Sequence, residues 1–131
     1  MLLRRAVIER IGLFDEQFFM YSEEVDLCVR IHEAGWHICW LPQAEVTHFG
    51  SQSTNQVADA MFLELYRNKI RYFRKHHSLY TTQAYKVLLF ITAISRLLFS
   101  GAYILASPGR QSKGELIFHQ YSLLIPELVN M

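Results

Sequence analysis

The sequence predicts an α/β fold, here as an α+β fragment, in which one helix and two short strands precede a group of C-terminal helices. A serine followed by acidic residues predicts a helix that begins at Glu23, and Gly35 marks its end. Alternating side chains over residues 36–41, and a second stretch at 45–48, predict the strands. Helical spacing of apolar residues returns near residue 57 and predicts helices from there.

The first turn of the predicted helix carries three carboxylates, those of Glu23, Glu24 and Asp26. Ser22 is a favoured N-cap, and the positive end of the helix dipole favours negative charge at this position. The simplest role for Glu23 and Asp26 is therefore in capping and solubility. Asp26 is also expected to form a modest surface ion pair with Arg30.

Glu24 differs because helical spacing places it on the apolar stripe of the helix, with Leu27, Cys28 and Ile31. A carboxylate at this place is partly desolvated, yet it lies close to the backbone N–H groups of the helix start. That environment suits a general base. We therefore predict that Glu24 has a catalytic role.

His48 ends the second predicted strand and precedes a small polar loop that contains Ser51 and Ser53. The backbone N–H and hydroxyl groups of such a loop can approach an anion. The histidine is therefore placed to meet a diphosphate or a metal ion, although a lone histidine is also common as a structural residue.

Four segments together carry a family resemblance: FDEQFFMYSEEVDLCVRIHEAGW, LPQAEV, THFGSQST and YRNKIRYFRKHH. Over residues 1–77 the chain resembles the C-terminal, acceptor-side half of the inverting family-two nucleotide-sugar glycosyltransferases, especially the bacterial rhamnosyltransferase-like branch. The resemblance implies the C-terminal part of a GT-A-like fold with short strands. It places Glu24 at the position of the catalytic base, where the family usually has an aspartate.

The resemblance also implies roles for the other polar residues. Glu23 and Asp26 would bind or orient the acceptor, and the diphosphate or metal would meet His48, Ser51 and Ser53, with His48 as the metal ligand. The implied reaction moves a sugar from a nucleotide-sugar donor to a saccharide or lipid-linked acceptor with inversion. A divalent cation, Mg²⁺ or Mn²⁺, is expected in the complete enzyme.

A complete enzyme of this kind also has a Rossmann-like nucleotide-binding half with an Asp-x-Asp motif, and the sequence has neither. The chain is therefore expected to be a fragment that is inactive alone. Residues 1–77 would belong to the catalytic domain, and residues 78–131 would form a helical extension.

Composition and charge narrow the choice of function. Hydrophobic residues make up 51% of the chain, enough for a globular core, and the two cysteines lack the spacing of a disulfide framework or a zinc site. The net charge of +1 conceals an asymmetry: residues 1–64 hold 4 Lys/Arg against 10 Asp/Glu, whereas residues 65–131 hold 9 against 2. Aromatic residues interleave the basic ones at positions that suit a packed helix face, so a nucleic-acid partner is not expected.

The C-terminal part predicts helices of different character. One begins near Val57 and is expected to bury Met61, Phe62, Leu65, Ile70 and Phe73. Residues 107–109 are expected to break the next helix, residues 111–114 to form a polar loop, and residues 116–129 to form a last helix interrupted by Pro126.

Residues 84–106 form an apolar stretch in which Lys86 and Arg96 are the charged residues. Three interpretations remain open: a transmembrane helix, a helix lying in the membrane interface, and a buried core helix. Arg96 near the centre disfavours a clean span, and the basic helix before it favours the interface. This interpretation predicts a cytoplasmic protein held peripherally at the inner face of the plasma membrane. The alternative function is a non-catalytic membrane- or partner-binding module.

Overall fold

The computed structural model describes residues 1–47, 57–106 and 111–131, with no side-chain description at 105–106 and 111–113. Within these ranges the chain forms five helices: α1 Arg5–Ile11, α2 Glu23–Glu33, α3 Ala58–His76, α4 Leu79–Ala106 and α5 Gln111–Asn130. It divides into two compact units, residues 1–58 and 59–131. We call them the N-terminal and the C-terminal unit.

The predicted α/β fold class, with the short strands of a GT-A-like fold, is wrong for this structure. The described residues include no strand, and the segment 36–47 contains only a turn in which the Ala44 N–H donates to the Leu41 carbonyl at 3.1 Å. A strand is stable only when a neighbouring strand pairs with its backbone groups. Residues 36–47 find no such partner within the described ranges, and Trp40 and Val46 are largely exposed.

The N-terminal unit is built on the packing of α1 against α2. Its buried core consists of Val7, Leu27 and Ile31, and Leu3, Ile11 and Trp36 pack around it. The sequence analysis did not predict α1, although Gly12 directly after an apolar helical pattern is a typical end signal. Gly12 indeed has a φ of 78° and donates its N–H to the Ile8 carbonyl.

The bounds predicted for α2 are confirmed, whereas its predicted cap is wrong. The helix begins at Glu23 and closes with Gly35 in the left-handed region, at a φ of 83°. The Gly35 and Trp36 N–H groups donate to the His32 and Ile31 carbonyls, as in a Schellman ending. Ser22 has a φ of 69° and makes no side-chain capping bond, because its left-handed backbone differs from the extended one that a capping serine needs.

The C-terminal unit consists of α3, α4 and α5. Its buried core joins all three helices through Ile70 of α3, Leu89 and Ala93 of α4, and Leu124 and Leu128 of α5. Three polar pairs link α3 to α5 in the same chain order, Asp59 with His119, Tyr66 with Tyr121, and Arg67 with Glu127, so these helices run parallel. The Phe73 and Tyr85 rings stack at 4.1 Å near the turn between α3 and α4.

Two expectations for the C-terminal helices are corrected. Residues 111–114 are helical and belong to α5, and Pro126 lies inside this helix without ending it. Gly114 is buried within α5, and Leu124 and Leu128, which flank Pro126, lie in the core. Tertiary packing therefore holds the segments around Gly114 and Pro126 in helix despite the weak helix propensity of glycine and proline. The predicted break at 107–109 lies outside the described residues.

Candidate functional site

The acidic first turn of α2 presents its three carboxylates differently from the prediction. Asp26 is fully buried beside Leu27, whereas Glu24 is exposed. The prediction that Glu24 lies on the buried face is therefore wrong. The buried face of α2 is set by where α1 packs, and Val7 of α1 contacts the side that carries Leu27 and Ile31.

Asp26 forms the centre of a buried polar link rather than the surface ion pair that was predicted. Its Oδ2 accepts a hydrogen bond from Arg30 Nε at 2.8 Å, and the two side chains are 0% and 19% exposed. The Arg30 guanidinium also donates to the carbonyls of Ile11 at 2.8 Å and Leu13 at 2.7 Å. Arg30 thus ties α2 to the segment that leaves α1. It also supplies the partner that a buried carboxylate needs.

The carboxylate of Glu23 is placed differently from those of Glu24 and Asp26. Its Oε2 is buried and has no hydrogen-bond partner among the residues that the structure describes. Tyr21 and Ser22, just before it, both have positive φ, a conformation that non-glycine residues adopt at a cost and that occurs often at functional sites. The helix start therefore combines a strained backbone, a buried carboxylate oxygen and an exposed carboxylate.

The residues predicted to meet a diphosphate or a metal cannot be placed beside this turn. His48, Ser51 and Ser53 lie outside the described residues. Within the described ranges, no three side chains of the metal-binding types His, Cys, Asp and Glu come together.

The basic helix α3 carries polar contacts that the sequence analysis missed. Arg67 donates to Glu127 Oε2 at 2.8 Å and also lies 3.5 Å from Glu64. The bond to Glu127 raises the pKa of Arg67 above its usual value. A charge run of this kind looks like a solvated helix face in sequence, and only the position of α5 shows that one of its charges joins two helices.

Comparison with known proteins identifies the chain as a glycosyltransferase by family. Residues 1–85 match the profile described as "Glycosyltransferase like family 2", which covers more than half of the chain. The chain belongs to this family.

The curated relatives are rhamnosyltransferases. The chain is 45% identical over 56 residues to the N-acetylglucosaminyl-diphospho-decaprenol L-rhamnosyltransferase of Mycobacterium tuberculosis, a match that covers 43% of this chain and 18% of the relative. It is 28% identical over 75 residues to rhamnosyltransferase WbbL of Escherichia coli K12, covering 57% of this chain and 28% of the relative. The chain therefore spans less than a third of the length of these proteins. No solved structure matches it.

Proposed function

We propose that this chain is the acceptor-side part of an inverting glycosyltransferase that moves a sugar, rhamnose by analogy, from a nucleotide-sugar donor to a lipid-linked saccharide. Family membership over residues 1–85 supports the reaction class. The name of the mycobacterial relative, which specifies a diphospho-decaprenol-linked N-acetylglucosamine, suggests the acceptor class. Such a reaction would serve cell-envelope polysaccharide synthesis.

The proposed chemistry needs one base on the acceptor side. The base takes the proton of the acceptor hydroxyl as that oxygen bonds to the anomeric carbon of the donor sugar. The bond from this carbon to the diphosphate oxygen breaks, and its electron pair leaves with the nucleoside diphosphate. A general base contributes on the order of 10²–10⁴-fold to such a step. Attack from the face opposite the leaving group gives inversion.

We assign the base to Glu24. The observation that supports this is its exposed carboxylate in the first turn of α2, since a base must touch the acceptor. The hydrogen bonds of Arg30 to the carbonyls of Ile11 and Leu13 fix α2, and a fixed support favours accurate placement of the base. Glu23, with its buried Oε2, is the second candidate and otherwise orients the acceptor, while buried Asp26 supports the turn from within.

Mg²⁺ or Mn²⁺ would supply charge stabilisation to the departing diphosphate in the complete enzyme. The described side chains form no ligand set for such a cation. The proposal that His48, Ser51 and Ser53 face the diphosphate or metal follows from the family resemblance.

The test is a chimera in which this chain's residues replace the matched segment of the mycobacterial relative. Rhamnosyl transfer to N-acetylglucosaminyl-diphospho-decaprenol is then measured for Glu24→Gln, Glu23→Gln and, as a matched control, Glu33→Gln at the other end of α2. We expect Glu24→Gln to lower kcat about 10²-fold or more with donor KM unchanged, and Glu33→Gln to have no effect. Normal turnover of Glu24→Gln would refute its role, and a loss confined to Glu23→Gln would move the base to Glu23.

Calorimetry with a panel of UDP-, GDP- and dTDP-sugars and Mg²⁺ or Mn²⁺ gives an independent reading of the chain by itself. We expect no donor binding by the folded chain, because the sequence lacks a recognisable nucleotide-binding half. Tight binding would show that this acceptor-side assignment is too narrow.

A further inference from the structure

Helix α4 exposes an apolar surface along most of its length. Between residues 87 and 99 it carries seven large apolar side chains that are at least 36% exposed. We call them the α4 apolar face: Val87, Leu88, Phe90, Ile91, Ile94, Leu98 and Phe99. Monomeric soluble proteins rarely expose apolar patches of this extent, so the face indicates a partner.

The packing of α4 leaves this face free within the C-terminal unit. A narrow stripe of α4 is buried, formed by Thr82, Leu89, Ala93 and Ser100. These residues recur at helical spacing on one side, and the α4 apolar face occupies the other side. Only 17% of the most apolar window of residues 79–104 is buried, whereas the core helix of a soluble protein would be mostly buried.

Between residues 87 and 104 of this helix, the serine and threonine hydroxyls donate to backbone carbonyls of the preceding turn. Thr92, Ser95 and Ser100 donate to the carbonyls of Leu89, Thr92 and Leu97 at 2.8, 2.8 and 3.0 Å. In an apolar medium every polar group needs an internal partner, and bonds from a hydroxyl back to the preceding turn provide one. The helix can therefore present this side to hydrocarbon at little cost.

The neighbouring helix α3 decides how α4 can meet a bilayer. The most apolar 18-residue window within residues 79–104 has a mean hydropathy of 1.9, and the helix is long enough to cross a membrane. However, α3 packs on the same core through Ile70 and carries Glu64, Arg67 and Arg71. A spanning α4 would draw these charges towards the hydrocarbon, which is costly. A position along the surface keeps α3 in water.

We propose that α4 lies along the surface of a bilayer rich in anionic lipid, with the α4 apolar face inserted among the acyl chains. The charge of this part of the chain complements such a surface, since residues 65–131 hold 9 Lys/Arg against 2 Asp/Glu. Arg74 and Lys75 at the end of α3 carry the attraction to the headgroups near the α3–α4 turn. The proposal is independent of the transfer reaction, because vesicle binding is measured without substrate.

The test is co-sedimentation of the full chain with vesicles of phosphatidylglycerol and phosphatidylcholine, and of phosphatidylcholine alone. The double variant Ile91→Glu/Leu98→Glu should lower affinity for the anionic vesicles about tenfold or more, because it places two charges in the inserted face. Arg74→Gln/Lys75→Gln should lower it about tenfold on anionic vesicles and leave neutral ones unaffected. Ala60→Glu, at an exposed position on α3, is the matched control and should change less than either.

Three results would overturn the proposal. The first is equal binding of Ile91→Glu/Leu98→Glu and the parent chain, with helix content matched by circular dichroism. The second is a vesicle-free dimer in sedimentation velocity that this variant dissolves, together with no vesicle binding by the parent, which would assign the face to a second copy. The third is resistance of bound chain to alkaline carbonate extraction, which would mean that α4 spans the bilayer. We expect alkaline carbonate to extract the bound chain, the protein to be a monomer without vesicles, and Ile91→Glu/Leu98→Glu to lose vesicle binding.

Discussion

Replacement of Arg30 by methionine tests whether the buried link in the N-terminal unit holds α2 in place. The variant keeps the aliphatic bulk but removes the guanidinium that pairs with Asp26 and bonds the Ile11 and Leu13 carbonyls. It leaves the carboxylate of Asp26, which is 0% exposed, without its charged partner. Removing one member of a buried pair costs about 3–5 kcal/mol, and the partial exposure of Arg30 places the expectation near the lower bound.

The assay follows urea unfolding by tryptophan fluorescence, because both tryptophans, Trp36 and Trp40, lie in the N-terminal unit. With a slope of ~1 kcal/mol per M, a loss of ~3 kcal/mol lowers the urea midpoint by ~3 M, or leaves so small a unit unfolded in buffer. The control is Arg5→Met, since the Arg5–Glu9 pair has the same spacing and Nε–oxygen distance but is 91% and 62% exposed. Its expected cost is below ~0.5 kcal/mol.

Equal midpoints for Arg30→Met and Arg5→Met would refute the reasoning. A double variant, Asp26→Leu with Arg30→Met, separates the charge from the packing. It should recover part of the lost free energy of unfolding, because the buried carboxylate that lost its arginine is gone. Recovery would be incomplete, since the carbonyl of Ile11 still lacks its donor.

Two further predictions concern the C-terminal unit. Gly114→Ala should lower its free energy of unfolding by about 1–3 kcal/mol, because the new Cβ would lie 2.8 Å from Cγ1 of Ile104. Thermal unfolding followed by far-ultraviolet circular dichroism measures this change. The control is Gly101→Ala, whose Cβ meets nothing within 4 Å, so a gain in stability of up to about 1 kcal/mol is expected there. Equal effects of the two substitutions would contradict the close approach at Gly114. Burial and the hydroxyl of Tyr121 raise the pKa of Tyr66 above 10.0, so the stability that neutral Tyr66 contributes is complete below pH 10 and is lost as pH rises further. Tyr66→Phe should therefore flatten the alkaline fall of the unfolding midpoint, and an unchanged alkaline profile would argue against this environment.

Helix α2 illustrates how far local sequence signals reach. Its bounds followed from an acidic first turn and a terminal glycine, which act within a few residues and need no partner. Its buried face did not follow, because that face depends on α1 and on Arg30 reaching the Ile11 carbonyl 19 positions earlier. The exposed Glu24 and buried Asp26 reverse the prediction for this reason.

The predicted strands failed for a related reason. Alternation over residues 36–41 is a local property, but a strand exists only when another strand completes its hydrogen bonds. The helices of the C-terminal unit were largely predicted, because helical hydrogen bonds close within the segment itself. Pro126 shows the limit of such rules, since α5 continues through it.

The sequence alone determined the family, the acidic turn as the candidate site, and the apolar and basic character of the C-terminal part. Motifs and composition are properties of the amino-acid sequence and do not depend on how the chain packs. The tertiary structure decided which carboxylate is exposed, that Asp26 and Arg30 form a buried link, and that α4 turns an apolar face outward. These depend on which elements pack together, and packing depends on contacts between residues that are distant in the chain.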